Sequence, residues 1–440
     1  MSLYYYWNKY LQKSIVLVVL ISAVFLIKVP PFYFLGINTS LLTTHTLSRL
    51  MILSLFLFFC ARAWLNKTVL SRQERALAVF FLVYFAFQSL SALAVVDTVA
   101  FTRVYKDILF AGLFLFVAIF EKKFVRSLVW VFIAAAVVNF IYQMVILWFP
   151  RLFQVFAERF VYAAHLELVN INIERGRLFV ETYDEIAIPF VILLLSRAKK
   201  AKPKFLHLVL LICIMVPSFL SNFRTRILML GFALAASLFL ILKASKKAKT
   251  ALVGGALALG VLAHIVSSVI FGFSFVSRVT LKNQEEDART IGGRLENIKI
   301  ALAMGISRPV SGVGLGGYSL YIPEHRKSIF SISLNSFRQQ EAAIASTNPH
   351  NIFAQVLSET GVLSLGLFVV ILGVFLKGDM FLVRRGKKEQ AAYIISFWTL
   401  FVYSLFNPST TLAYNSLFWI LRVGVIQPRQ PRNPGNRSRE

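Results

Sequence analysis

Two arginines, Arg224 and Arg226, lie in the short polar segment 221–226 between two apolar runs. Guanidinium groups bind phosphate oxygens in bidentate geometry, so two arginines this close together could form a clamp for a phosphate or diphosphate. The alternative is that both side chains snorkel from a helix end toward the polar interface of a membrane. Arg177, which precedes another apolar run, is a weaker second candidate for binding an anion.

His350 lies where a long polar segment meets the apolar run that begins near residue 352. Histidine is well suited to general-base chemistry near neutral pH, although a single histidine is also compatible with a structural role. The carboxylates Asp184 and Glu185 stand near the start of another apolar run. Acidic groups there complement the positive end of a helix dipole, and this is the interpretation that the sequence favours for them.

Four glycines, Gly312, Gly314, Gly316 and Gly317, occur within one short segment. A dinucleotide-binding loop needs a strand and a βαβ unit around such glycines, and neither is indicated here. Tight backbone turns that pack a loop are the better interpretation. The six histidines are scattered and both cysteines lie inside apolar runs, so we expect neither a metal site nor a cofactor.

The elements that position these residues are strongly apolar. The chain of 440 residues is 58% hydrophobic and 15% charged, with a mean hydropathy of +0.70. This composition is typical of an integral membrane protein rather than a soluble one. Runs long enough to cross a bilayer predict an all-α fold with about 12 transmembrane helices, at about 14–36, 47–65, 76–96, 105–120, 127–149, 181–196, 205–222, 226–243, 251–276, 352–376, 391–406 and 410–426.

The basic residues indicate how these helices are oriented. The chain has 47 Lys and Arg against 20 Asp and Glu, which gives a net charge of +27. When the connections are assigned to alternate sides, most of the basic residues fall on the side that holds both termini. Cytoplasmic loops are the ones enriched in Lys and Arg, so both termini are predicted to be cytoplasmic. The charge is therefore mainly a topology signal that also attracts membrane lipids, and no basic domain indicates nucleic-acid binding.

Two outer connections are longer than the others, and long connections are where functional residues concentrate. In the second of them Ile291, Leu295, Ile298 and Leu302 share one helical face, which predicts an amphipathic helix on the outer membrane surface or packed on the spans. Spans 1–9 are predicted within residues 1–276, with an outer segment at about 150–180. A large outer loop at 277–350 separates them from spans 10–12, which lie within residues 351–426. Residues 427–440 are predicted to form a disordered cytoplasmic tail.

Three segments of the chain form a set of motifs. Segment 294–318 has an arginine-containing helix followed by a proline and a Gly-Val-Gly turn, and segment 221–226 places Ser and Arg at the outer end of a span. His350, Asn351 and Gly361 follow the pattern of a histidine, an Asn, Ser or Gln, nine residues and a glycine. Together these segments resemble the bacterial O-antigen ligase and O-antigen polymerase superfamily.

The resemblance implies a glycosyltransferase in the bacterial inner membrane with its active site facing the periplasm. Its donor would be a glycan linked to undecaprenyl diphosphate, and its acceptor a saccharide hydroxyl of the lipid A core. Arg224, Arg226 and Arg294 would stabilise the diphosphate electrostatically, and His350 would be the general base of an inverting transfer that needs no nucleotide or metal.

Two alternatives to the ligase interpretation remain open. An O-antigen or exopolysaccharide polymerase would use a second lipid-linked repeat unit as acceptor, and the shared motifs separate it poorly from a ligase. A 12-span transporter belongs to another class. It predicts two similar halves, whereas the large outer loop here lies only between spans 9 and 10.

Overall fold

The computed structural model describes the chain over residues 44–65, 69–95, 97–120, 122–149, 151–155, 184–220, 224–242, 284–322, 349–406 and 416–426, and at positions 250, 254, 258, 261 and 265. These residues form helices joined by turns, and no β-strand occurs among them. The prediction of an all-α fold is therefore confirmed for the described part of the chain.

The main α-helices are numbered here in chain order. Two short 3-10 turns accompany them, one after α2 at Ser91–Ala94 and one before α5 at Asp184–Ala187, and α7 continues as a π turn at Leu238–Leu242. The helices are α1 Thr44–Leu65, α2 Arg72–Leu90, α3 Thr98–Phe120, α4 Lys122–Trp148, α5 Ile188–Arg197, α6 Ala201–Leu220, α7 Arg224–Ser237, α8 Gln284–Ser307, α9 Ile352–Arg384, α10 Lys388–Ser404 and α11 Ser416–Val425.

Four helical segments within the described residues are long and apolar enough to cross a bilayer. They carry large exposed apolar side chains such as Val79 and Val370, which is the surface expected of a helix that faces lipid. The chain therefore has helices of the transmembrane type, as predicted. The four segments are Arg72–Ala94, Ala201–Phe219, Arg224–Leu242 and Ile352–Arg384.

Most of the predicted spans coincide with helices. Within the span predicted at 181–196, the described residues form a 3-10 turn at Asp184–Ala187 and are α-helical from Ile188, beside Pro189 in the first turn. The span predicted at 14–36 lies outside the described residues, and the one at 251–276 is described only at isolated positions. The total of twelve spans and the sides on which the termini lie stay predictions.

Helix α10 is central to the described helices, where it packs against α5, α7 and α11. Aromatic rings fill much of this core because they bury a large apolar area and pack edge to face. The ring centroids of Phe397 of α10 and Phe418 of α11 are 4.8 Å apart, and those of Trp419 of α11 and Phe81 of α2 are 5.1 Å apart. The second of these contacts joins α2 to α11, two helices that are far apart in the sequence.

Helix α8 packs along α9 with a face other than the one indicated by its apolar periodicity. Its buried residues include Ile300, Ala301 and Met304, whereas Leu295 and Leu302 of the predicted stripe are 55% and 43% exposed. The helix therefore has two apolar faces, one packed against the protein and one exposed. Ile298 packs partly against the buried face, and the Ile291 side chain lies outside the described residues.

Candidate functional site

Helix α9 is interrupted at Gly361, where φ is 82° and the backbone is left-handed. The interruption redirects hydrogen bonds out of the helix. The Val313 N–H donates to the Ser358 carbonyl at 2.8 Å, and the Gly314 N–H donates to the Glu359 carbonyl at 3.1 Å. Backbone bonds therefore hold the turn 308–317, which we call the glycine turn, in the break of α9.

Gly312 and Gly361 allow this close approach. A Cβ at Gly361 would lie 2.4 Å from the Pro309 carbonyl oxygen, which accepts a 2.7 Å hydrogen bond from the Val362 N–H. A Cβ at Gly312, where φ is 62°, would lie 2.5 Å from the Ser358 carbonyl oxygen. Side chains at either position would push the glycine turn and α9 apart.

The glycine turn also lies against the 3-10 turn after α2 and the first turn of α3, and the residue that follows it bonds to α8. Gly314 approaches the carbonyl oxygen of Ala94, and Gly316 approaches that of Ala100. The hydroxyl of Tyr318, directly after the turn, donates to the Asn297 carbonyl of α8 at 3.0 Å. The turn therefore fixes α8, which carries Arg294, relative to the first residues of α9.

Asn351 and His350 form the entrance to α9. The Asn351 Oδ1 accepts hydrogen bonds from the N–H groups of Phe353 at 3.0 Å and Ala354 at 3.1 Å, which caps the helix. Its Nδ2 donates to the Leu405 carbonyl at the end of α10 at 3.2 Å. His350 precedes this cap with a positive φ of 53° and is half-buried. The cap therefore attaches the chain that carries His350 to the end of α10.

The positive charges of Arg224 and Arg294 act on each other, although the two residues are seventy apart in the sequence. Burial and the positive charge of Arg224 both lower the pKa of Arg294, and Tyr403 near the end of α10 opposes this shift. Arginine remains protonated despite such shifts, so the two guanidinium groups form a local concentration of positive charge. Tyr403 and Leu405 belong to the same helix end, so this charge and the His350–Asn351 entrance meet at the end of α10.

Arg226 has a different environment from Arg224. It is 2% exposed, its Nε lies 2.6 Å from the Glu185 Oε1, and its Nη2 lies 3.1 Å from the Asp184 Oδ2. Ser218 donates to the same Glu185 oxygen at 2.7 Å, and Asn139 donates to the same Asp184 oxygen. The predicted interpretation of the two carboxylates as dipole-complementing groups is therefore incomplete, because both also neutralise Arg226.

Comparison with known protein families adds a separate observation. Residues 208–369 match the model of the family described as O-antigen ligase (Wzy_C). This region of the chain is similar to the O-antigen ligase family. No curated protein matches the chain. The match confirms the resemblance to the O-antigen ligase and polymerase superfamily that the three motifs predicted.

The matched region includes Arg224, Arg226, Arg294, the glycine turn and the entrance to α9. The family implies a ligase- or polymerase-type glycosyltransferase of lipopolysaccharide biosynthesis, with lipid-linked glycan and lipid A core as its general classes of substrate. The structure brings Arg224, Arg294 and the His350 entrance to one end of α10 and places Arg226 in a buried cluster. Arg177 lies outside the described residues.

Glu359 is a residue of the matched region that the motifs did not single out. It is 2% exposed, and its carboxylate faces the backbone N–H groups of Gly316 and Tyr318 and the amide of Gln355. Its side chain therefore ties α9 to the glycine turn, next to the backbone bonds at Gly361. A carboxylate inside the otherwise apolar run at 352–376 was the signal in the sequence that could have identified it.

Within the described residues, no three or more His, Cys, Asp and Glu side chains come together as a group that could hold a metal ion. The charged groups at the end of α10 are guanidinium groups, which bind anions rather than cations. The chemistry available there is binding of a phosphate-type anion beside a histidine.

Proposed function

We propose that this protein transfers a glycan from undecaprenyl diphosphate to a hydroxyl of the lipid A core at the periplasmic face of the inner membrane. The observation that carries the proposal is the approach of Arg224 and Arg294 at the end of α10, where Asn351 also attaches the chain bearing His350. Cations and a potential base from three separate helices meet there, within a domain of the O-antigen ligase family.

In the proposed reaction His350 accepts the proton of the acceptor hydroxyl as that oxygen attacks the anomeric carbon of the glycan. The bond between this carbon and the diphosphate oxygen breaks, and its electron pair leaves with the diphosphate. Displacement from the opposite face inverts the configuration at the anomeric carbon. Arg224 and Arg294 stabilise the negative charge that develops on the leaving diphosphate.

Arg224 is the better diphosphate ligand of the two arginines in segment 221–226. Arg226 is buried and paired with two carboxylates, so an incoming diphosphate would have to displace bonds that already satisfy much of its charge. Arg224 is half-buried and contributes to the electrostatic environment of Arg294. Arg177 remains a candidate for additional contact with the donor.

The proposed chemistry needs no metal, because guanidinium groups provide the positive charge that a metal would otherwise supply. Transfer is therefore expected to continue in excess chelator. Complete inhibition that is reversed by adding a divalent cation would contradict this part of the proposal.

The test uses purified protein in vesicles supplied with lipid-linked repeat units, with and without lipid A core. Conjugation that depends on the core is the expected result. Growth of a ladder of longer lipid-linked glycans without core would replace the ligase proposal by a polymerase. Flux of intact donor across the vesicle membrane without any transfer would replace it by a transporter.

A further inference from the structure

Arg226 belongs to a buried polar cluster that joins four separate elements. The cluster consists of Asn139 of α4, Asp184 and Glu185 of the 3-10 turn before α5, Ser218 of α6 and Arg226 of α7. All five residues are less than one-tenth exposed. The first turn of α7 is therefore attached through Arg226 to the 3-10 turn and to Ser218 of α6, and Asn139 of α4 supports Asp184.

The 3-10 turn that provides both carboxylates is itself fixed to α10. Ser396 of α10 donates from its hydroxyl to the Ile186 carbonyl, the residue after Glu185, at 2.7 Å. Helix α10 is also the helix whose far end carries Tyr403 and accepts the hydrogen bond from Asn351. This connection fixes the position of Arg226 relative to α10, the helix to which the candidate site is also attached.

The geometry of a helix relates Arg226 directly to Arg224. Residues two apart on an α-helix project roughly 200° from each other around its axis, so they lie on nearly opposite faces. Because Arg226 projects into the bundle, this geometry directs Arg224 toward a different face of α7, and the charge of Arg224 acts on Arg294. Any rotation of the first turn of α7 that moved Arg226 would also change the direction of Arg224.

We propose that Asp184 and Glu185 are positioning residues for donor binding. By holding Arg226, the two carboxylates fix the rotation of the first turn of α7 and direct Arg224 toward the diphosphate beside Arg294. Buried ion pairs contribute little net stability, because desolvation offsets their attraction, so an orienting role accounts for the cluster better than a stabilising one. This inference rests on the proposed function, since it assumes that Arg224 binds the donor diphosphate.

Glu185→Gln is the most direct test variant. Two carboxylates pair with the Arg226 guanidinium. Neutralising Glu185 therefore leaves Arg226 paired with Asp184, so the buried cation keeps a counter-charge. We expect the KM for the lipid-linked donor to rise about tenfold, equivalent to the loss of one charge-assisted hydrogen bond, with kcat nearly unchanged. Asp184→Asn provides a second, independent variant with the same expected direction.

Asp379→Asn is the matched control. Asp379 is also a buried carboxylate paired with a buried arginine, Arg422, but this pair is not attached to the first turn of α7. Loss of thermal stability without a change in donor KM is expected for the control. An equal rise in donor KM in Asp379→Asn and Glu185→Gln would assign the effect to general destabilisation and overturn the proposal.

A binding measurement separates this inference from the proposed function. Farnesyl diphosphate serves as a short donor analogue and farnesol as its uncharged counterpart, with the full-length protein in vesicles. Glu185→Gln is expected to weaken binding of the diphosphate about tenfold while leaving farnesol binding unchanged. In the Arg224→Ala background, Glu185→Gln is expected to add no further loss, because the carboxylate acts through Arg224.

Each outcome discriminates between the two proposals. If the wild-type protein binds the diphosphate no better than farnesol and transfers no glycan, the proposed function fails. If the wild type binds and transfers but Glu185→Gln and Asp184→Asn both behave like it, only the positioning role fails. Additive losses for Glu185→Gln and Arg224→Ala would also overturn that role.

Discussion

The two ends of helix α9 are ordered by different kinds of interaction. At the first end, the Asn351 cap, the break at Gly361 and the glycine turn are connected largely through backbone hydrogen bonds. At the second end, Asp379 accepts both of its contacts with the Arg422 Nη1, at 2.7 and 2.8 Å, and a third from the Trp398 indole N–H at 2.8 Å. Arg422 also stacks on Phe375 at 4.2 Å and Phe397 at 4.8 Å.

This difference shows how the helix separates ligand chemistry from structural support. At the Asp379 end, the carboxylate pairs with the guanidinium of Arg422 between aromatic rings. Contacts within the protein therefore neutralise both charges. At the His350 end the backbone provides much of the order, and the positive charges of Arg224 and Arg294 act on each other. Like charges close together repel, and a bound anion offsets that repulsion, so anion binding is the function that such a pair best supports.

Removing the imidazole at the first end is expected to have the largest effect. His350→Ala should lower kcat for glycan transfer by about 10²–10⁴-fold, the usual contribution of a general base, with normal insertion into the membrane. His207→Ala, on α6, is the matched control and should retain activity. Full activity of His350→Ala would remove the catalytic assignment and leave this end of α9 with a structural role only.

Neutralising the carboxylate at the second end should affect stability instead. Asp379→Asn leaves the buried Arg422 without a full counter-charge, which is expected to cost about 3–5 kcal/mol in the free energy of unfolding. Thermal unfolding in detergent measures this loss, and transfer per folded molecule should remain at the wild-type level. A large fall in transfer by the folded fraction would mean that the two ends of α9 do not differ as described.

The break in α9 lies between its two ends. Its dependence on glycine is tested by substituting Gly361 in the break and Gly366 outside it. Gly361→Ala places a Cβ against the Pro309 carbonyl at a left-handed position and should destabilise the protein by about 1–3 kcal/mol. Gly366→Ala, five residues later, meets no atom within 4 Å and should stabilise the helix by about 0.5–1 kcal/mol. Unfolding measured in detergent, together with transfer activity, checks both changes. Equal effects of the two substitutions would contradict the interlock between α9 and the glycine turn.

Features that depend on local sequence could be predicted for this protein. The long apolar runs indicated most of the described helices, and the run beginning near residue 352 placed His350 at the start of α9, whereas the break at Gly361 was not predicted. Asn351 is a good helix cap and Gly361 tolerates a positive φ, so these residue types report directly on their own backbone. The family resemblance followed from the same local motifs and is confirmed by the match to residues 208–369.

Features that depend on contacts between distant segments could not be predicted in this way. The partners of Arg226 lie about forty residues earlier in the chain, so the acidic turn at Asp184 and Glu185 was explained by its own helix alone. Likewise, apolar periodicity found a stripe on α8 but gave no information on which face meets α9. Periodicity records that a face is apolar, whereas the packing face is decided by the shape of the neighbouring helix.

The smallest effect is expected for the ion pair between Arg197 and Glu389, which are both 52% exposed and 3.3 Å apart. Arg197→Ala removes this contact at the end of α5, and water with mobile ions compensates for the loss of an exposed pair. The change in the free energy of unfolding should therefore stay within about 1 kcal/mol, with unchanged glycan transfer. The comparison with Asp379→Asn isolates burial as the variable, because each substitution breaks one ion pair that includes α10 or its neighbour α11. If Arg197→Ala destabilised the protein as strongly as Asp379→Asn, burial among the aromatic rings around Arg422 would not explain the effect of Asp379→Asn.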